Sequence, residues 1–538
     1  MFQPLCVIGP NGSGKSQFLQ LIAEFFQAAL HAAAPAQERR EVDPTSEFEL
    51  HYLAARQGKD PIEVQLRGKP PSSGDARAIT FRTRESGDEW TDWSAVDSSV
   101  SELLPSRVVA YTSGENETLS LPFLASRIAY SDEITSMALP NQKPLRGRPK
   151  TVKGPIAGVQ SDEVPLPSAL GGETPRLMLI DYSTHLEVLV ANLLLGSESQ
   201  RQFLLKKVKL SDLRSMRCVV SLNHRAVRNG VSKRPDSKRK GVQLTDELEG
   251  YIDVLKRCST TWNFEEADER YVFDFWIDAE SRKAFQGSFN EAFALYLALH
   301  KLALLNDLAI SRPARQRFET DVKRRRFASR LPEPPDQDKV FRFEELTFYP
   351  AEDWRQGAVD YVSLSDGEHQ LVQILGVFAM VDEPNVLFLL DEPESHLNPE
   401  WRVKFMSDLE ALPTSGGKRE KPGNASAAQE VLITTHAPFI TSDTPRNRTL
   451  IFKRSEEADG EMKVKVLRPN IQTFGAKYDE ILAECFGVFP PISAQPRAMI
   501  KKLLRSDDPV HVEAGLQQLG PSVERVKVAD HLQQLKDE

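Results

Sequence analysis

Residues 9–16 read Gly-Pro-Asn-Gly-Ser-Gly-Lys-Ser, and this short run restricts the fold more than any other part of the chain. It fits the phosphate-loop pattern G-x-x-x-x-G-K-[ST] at every fixed position. Such a loop works through its backbone, so it needs a strand before it and a helix after it. Pro4-Leu5-Cys6-Val7-Ile8 is an apolar run that reads as a buried parallel strand. Gly9, Pro10, Asn11, Gly12, Ser13 and Gly14 then turn tightly, facing successive N–H groups toward a β-phosphate. Lys15 is placed to reach β- and γ-phosphate oxygens, and the Ser16 hydroxyl to sit on Mg2+. From Lys15 to about Ala33, residues Phe18, Leu19, Ile22, Phe25, Phe26 and Ala29 recur at helical spacing. The positive end of that helix faces the phosphates. ATP and Mg2+ are the expected ligands.

Two further apolar strands end in chemistry-bearing residues. Val386-Leu387-Phe388-Leu389-Leu390 runs into Asp391-Glu392-Pro393. In phosphate-loop enzymes an Asp at such a strand end holds Mg2+ through water, and a following Glu polarises the attacking water. Asp391 and Glu392 take these two roles. Leu177-Met178-Leu179-Ile180-Asp181 is superficially similar, but Tyr182 and Ser183 follow it, so it reads as an ordinary strand. Val431-Leu432-Ile433-Thr434-Thr435 ends in His436, which is assigned a contact with the γ-phosphate. Ahead of the acidic strand lies Leu364-Ser365-Asp366-Gly367-Glu368.

Together these motifs resemble the ABC-type ATPases, in the broad group that includes SMC proteins and soluble DNA-repair and phage-defence ATPases. Leu364 to Glu368 is similar to their signature, with Asp366 where a second Gly is commoner. Asp391 to Pro399 resembles the Walker B and D-loop of the subgroup labelled AAA-type, and Thr435-His436-Ala437-Pro438 its H-loop. The resemblance covers about residues 1–130 and 338–455. It implies a head-to-head dimer with two ATPs at the interface. Ser365, Gly367 and Glu368 of one subunit would then join the ATP site of the other. Two departures stand out. Only eight residues precede Gly9, so the usual adenine-stacking aromatic has no place there: either the start is internal to a longer reading frame or adenine is held differently. No Q-loop glutamine follows Arg107-Val108-Val109-Ala110-Tyr111. Tyr111 to Asn116, Thr473-Phe474-Gly475-Ala476 and Leu519 to Glu524 also resemble restriction-system-associated ATPases and those of Septu- and retron-type anti-phage systems.

The expected fold class is α/β: a P-loop NTPase with an ABC-type head, split by a mixed, largely helical insertion and followed by a helical tail. The boundaries read as 1–136 for the first head lobe, 137–337 for the insertion, 338–466 for the second lobe and 467–538 for the tail. Residues 137–170 are rich in Pro and Gly, and a charged helical stretch follows Leu195. Tyr271 to Ile277 reads as a strand, Asn290 to Leu308 as an amphipathic helix, and Arg312 to Arg330 as a basic helix. Pro332-Glu333-Pro334-Pro335 leads back to a head strand at Val340 to Phe343. The heptads are too few for a long SMC-type coiled coil.

At 538 residues, with 40% hydrophobic and 27% charged residues, the chain has room for large cores and an ordinary globular composition. No unbroken apolar run approaches membrane-spanning length, and neither signal peptide nor lipidation motif is visible. Cys6, Cys218, Cys258 and Cys485 lack metal-like spacing. Reduced thiols in a cytoplasm and no membrane partner are therefore expected. The net charge of −9 argues against indiscriminate coating of nucleic acid. Basic clusters at 143–153, 233–240 and 323–326 are nonetheless candidate DNA contacts, and Arg146-Gly147-Arg148-Pro149-Lys150 matches the core of an AT-hook.

The sequence thus reads as an ATPase whose ATP-bound dimer is a switch on a partner effector or DNA, in bacterial anti-phage defence. Related nucleases append clustered acids that are not seen after His436, so any nuclease is expected on a separate subunit. One alternative is an SMC-like clamp in DNA repair or chromosome organisation. Another is a nucleotide-dependent module that restrains a toxin or nuclease with little turnover.

Overall fold

The computed structural model describes residues 4–33, 47–56, 59–69, 79–85, 88–94, 99–113, 118–123, 176–181, 184–223, 241–310, 313–314, 317, 320, 334–351, 357–414, 417–418, 429–456 and 462–537. The three basic clusters, the AT-hook-like segment and residues 137–170 lie outside them.

A seven-stranded sheet organises the chain. Its spatial order is β18 (Met462–Leu467), β17 (Thr449–Glu456), β1 (Leu5–Ile8), β16 (Glu430–Thr435), β13 (Val386–Asp391), β6 (Arg107–Thr112) and β7 (Leu177–Ile180). All pairings are parallel except β17 with β18. Continuous apolar runs such as Val386–Leu390 are what a sheet covered on both faces requires. In β13, Val386, Phe388 and Leu390 join the larger core, whereas Leu387 and Leu389 point into a second one. That second core is closed by α1 (Lys15–Ala33) and an antiparallel sheet of β2 (Phe48–Arg56), β3 (Lys59–Gly68), β4 (Ile79–Arg84) and β5 (Thr91–Trp93). The short helix α2 (Val100–Leu103) contributes Val100 to it.

The larger core is filled by α3 (His185–Leu195), α4 (Glu198–Lys207), α5 (Asp246–Cys258), α6 (Ala279–Ser288), α7 (Ala292–Ala303) and α8 (Asp366–Met380). A second antiparallel sheet joins it, in the order β12 (Val359–Asp360), β11 (Phe341–Pro350), β8 (Leu210–Ser221), β10 (Arg270–Trp276) and β9 (Thr261–Glu265). The span Ala292–Ala309 is long and apolar enough by composition to cross a membrane, but 67% of it is buried inside the fold. Its polar residues find partners there: Lys301 meets Glu247, and Asn306 bonds the backbone of Phe341.

Part of the insertion differs from its expected helical character. Leu210–Ser221 is a strand of 12 residues. Leu210, Leu213 and Met216 follow one another at spacings of three, which mimics a helix face. The mimicry comes from register shifts against β11, which pass over Ser211 and Arg214. Each shift is a bulge that lets the next apolar residue face the same core. The strand at Phe341 accordingly pairs with β8 and not with the main sheet.

After β13 come α9 (Pro399–Ala411), the hairpin β14 (Pro413–Thr414) and β15 (Gly417–Lys418), and α10 (Pro438–Ser442) beyond β16. Four helices close the chain: α11 (Tyr478–Phe486), α12 (Ala494–Leu503), α13 (Pro509–Gln517) and α14 (Val523–Asp537). The last three enclose a small core of their own around Ile500, Leu503, Val512, Val528 and Leu532. All four cysteines are free and buried.

Candidate functional site at the carboxyl edge of the main sheet

Strands β1, β13 and β16 are adjacent and parallel, so their carboxyl ends emerge side by side. Ligands of open α/β sheets bind at this edge. The edge collects the loop from β1, Asp391 and Glu392 from β13, and His436 from β16.

Gly9 to Gly14 form the turn between β1 and α1, with φ values of +149° at Gly9, +74° at Gly12 and +95° at Gly14. At Gly9 a Cβ would lie 2.3 Å from the backbone oxygen of Phe452, so no other residue fits there without moving β17. Pro10, Asn11 and Gly12 are exposed, whereas Ser13 is buried and its hydroxyl has no hydrogen-bond partner among the described residues. Lys15 is buried and donates to the carbonyl oxygens of Gly9 at 3.1 Å and Pro10 at 3.4 Å. Its Nζ stands 2.7 Å from His436 Nε2. Burial holds the Lys15 amine below its ordinary range, against the pull of Glu392, Asp391 and Glu394.

The Ser16 hydroxyl donates to Asp391 Oδ1 at 3.0 Å, and the Thr434 hydroxyl donates to the same oxygen. Burial raises the Asp391 carboxyl, and these two hydroxyls oppose it. The Ser16 hydroxyl and the Asp391 carboxylate, side by side, offer oxygen donors of the kind Mg2+ takes. Ser16 and Asp391 are the residues that would hold it.

Glu392 has φ +48°, a conformation that costs a non-glycine residue strain. Its N–H donates to the Thr434 backbone oxygen at 3.1 Å and to Oγ1 at 3.2 Å, which hold it there. Its Oε1 lies 2.9 Å from His436 Nε2. That nitrogen can accept from Lys15 or donate to Glu392, but not both at once. A hydrogen bond from His436, with the nearby Lys15 charge, keeps the Glu392 carboxyl below its ordinary range despite partial burial. It is therefore ionised at neutral pH, as a base must be.

Ser365, Gly367 and Glu368 lie at the amino end of α8. Ser365 caps that helix: its hydroxyl accepts from the Glu368 N–H at 3.4 Å, and Glu368 Oε2 accepts from the Ser365 N–H at 2.8 Å and hydroxyl at 2.9 Å. Ser365 is exposed and Glu368 is half-buried. A Cβ on Gly367 would lie 2.8 Å from the His396 backbone oxygen, so the helix end rests directly on the turn after β13. Behind it the Tyr361 and His369 rings stack at 4.2 Å, and His369 Nε2 lies 3.1 Å from the Tyr361 oxygen. Among the described residues, the hydrogen bonds of Ser365 stay within its own cap. The loop, Asp391, Glu392 and His436 converge within one chain, whereas Ser365 is exposed at the amino end of α8 and Gly367 is buried beneath it.

Sequence reasoning passed over Thr434, Thr435 and Glu394. Thr434 orients Asp391 and Glu392, and Thr435 donates to the buried Glu394. The signal in the sequence was two adjacent threonines closing an otherwise apolar strand, which does not say what they bond; in the fold both have no exposed surface. Polar groups buried there must bond to something.

Residues 259–443 match the model of a family described as "AAA domain, putative AbiEii toxin, Type IV TA system". The match includes Ser365, Asp391, Glu392 and His436. The phosphate loop lies outside it and reaches these residues through the pairing of β1 with β16. No curated protein matches the chain. The match over residues 259–443, with the parallel sheet and its loop, supports an AAA/ABC-like P-loop domain of the nucleotide-binding ATPase class.

Proposed function

We propose that the protein binds and hydrolyses ATP with Mg2+. The observation that carries this is the convergence of Lys15, Ser16, Asp391, Glu392 and His436 at one sheet edge. The loop N–H groups and Lys15 bind the phosphates, and Ser16 with Asp391 orients the cation. Mg2+, when bound, neutralises charge developing on the phosphate oxygens. Glu392 Oε1 takes a proton from the attacking water, and His436 Nε2, beside both Lys15 and Glu392, meets the terminal phosphate.

The exposed Ser365 at the amino end of α8 supports a head-to-head dimer in which Ser365, with the Gly367 backbone behind it, completes the partner subunit's ATP site. Nucleotide-driven closure would act as a switch on a separate effector or nuclease subunit, with DNA as a further partner through the basic clusters. The family description names a toxin of a type IV TA system, which supports a cytoplasmic role in bacterial defence beside a partner component.

Glu392→Gln tests the chemistry. Nucleotide binding should persist while hydrolysis slows by roughly 10²–10⁴-fold, as for a lost general base. Unchanged turnover would move the base elsewhere.

A further inference from the structure

Strand β17 pairs with β1 from Cys6↔Thr449 to Ile8↔Ile451 and then runs on beyond the end of β1. Phe452 to Glu456 therefore pass alongside the phosphate loop, and β18 returns next to them as the outer strand. The register places Phe452 opposite Val466, Arg454 opposite Val464 and Glu456 opposite Met462, so all six share one face. Three neighbours show where that face points. Phe452 meets Phe18 of α1 edge to face, with centroids 5.4 Å apart. A Cβ on Gly12 would lie 3.8 Å from Arg454 Nη1, and one on Gly14 would lie 3.7 Å from Val464 Cγ2.

The wall beside the loop is apolar and open. Met462, Val464 and Val466 are 57%, 44% and 51% exposed, and Arg454 is exposed as well. Consecutive apolar residues on the open face of an edge strand are usually avoided. A phosphate loop has its nucleoside close by, and a purine presents a flat apolar face and a π-system that attracts a guanidinium. The strip is three side chains wide and starts in van der Waals range of the loop, which suits a base better than a folded partner.

We propose that the β17–β18 hairpin seats the purine base of the nucleoside triphosphate, with Val464 against the ring and the Arg454 guanidinium stacked on it. This rests on the nucleotide reading above. The side chains of Val464, Met462 and Val466 are apolar, so the seat grips a purine by its face.

The test compares Mg-ATP with magnesium tripolyphosphate, which keeps the phosphates and lacks the base. In Val464→Asn and Arg454→Gln, ATP affinity should fall about tenfold, the scale of a lost stacking or cation–π contact. Tripolyphosphate affinity of Val464→Asn should stay within about twofold of the parent. Val464→Trp should tighten ATP alone. Equal ATP affinity in parent and all variants would overturn the proposal and leave the strip to a protein partner, as would equal weakening of both ligands in Val464→Asn. If the parent binds neither ligand, or if Lys15→Ala binds both as well as the parent does, the nucleotide reading itself fails.

Discussion

Lys15 and His436 are separated by 421 positions yet meet at 2.7 Å, and Glu392 completes the group from a third strand. Removing the lysine takes away the fixed cation of the loop. Lys15→Ala should therefore abolish tight ATP binding, and a titration with an affinity within about twofold of the parent would contradict the assignment. Glu394 behaves differently. Burial pushes its carboxyl from 4.5 up to about 7, with Glu392 adding to the rise and Thr435 and Arg402 opposing it. The fold therefore favours the protonated form. That contribution is complete below 4.5 and is lost as pH rises through about 7. In Glu394→Gln it is absent, so the variant should gain stability over the parent by about 3 kcal/mol between pH 4.5 and pH 8. Urea unfolding at the two pH values checks this; a constant difference would mean that Glu394 is not held protonated.

At the scale of elements, the amino end of α8 rests on the turn after β13 with no room for a side chain at Gly367. Gly367→Ala should lower stability by about 1–3 kcal/mol, as overpacking does, and shift Ser365 away from its place. A thermal melt equal to the parent's would show that the contact is slack. The elements nearest the chemistry were the most legible in sequence, because β1, β13 and β16 are buried on both faces and read as unbroken apolar runs. The strand β8 was not legible, since its bulges at Ser211 and Arg214 give a helical spacing to Leu210, Leu213 and Met216. The wall formed by Arg454 and Val464 was equally hidden. Its place beside the loop depends on how far β17 outruns β1, which is set by tertiary pairing. The supporting roles of Thr434 and Thr435 likewise become visible only when β16 lies next to β13.

At the scale of the whole molecule, Lys15, Asp391, Glu392 and His436 meet within one chain. In the proposed head-to-head dimer, Ser365 and Gly367 would complete the partner subunit's site. Lys15→Ala and Ser365→Arg homodimers should both be inactive, one for want of a phosphate clamp, the other because bulk and charge block the partner subunit's phosphate. In a mixed dimer both defects fall in the same composite site, and the second site is intact. The decisive measurement is the ATPase rate of mixed dimers purified through two different tags, with their composition verified. Recovery of a substantial fraction of the parental rate is predicted; verified mixed dimers as inactive as either parent would contradict a site in which one intact pair of half-sites suffices.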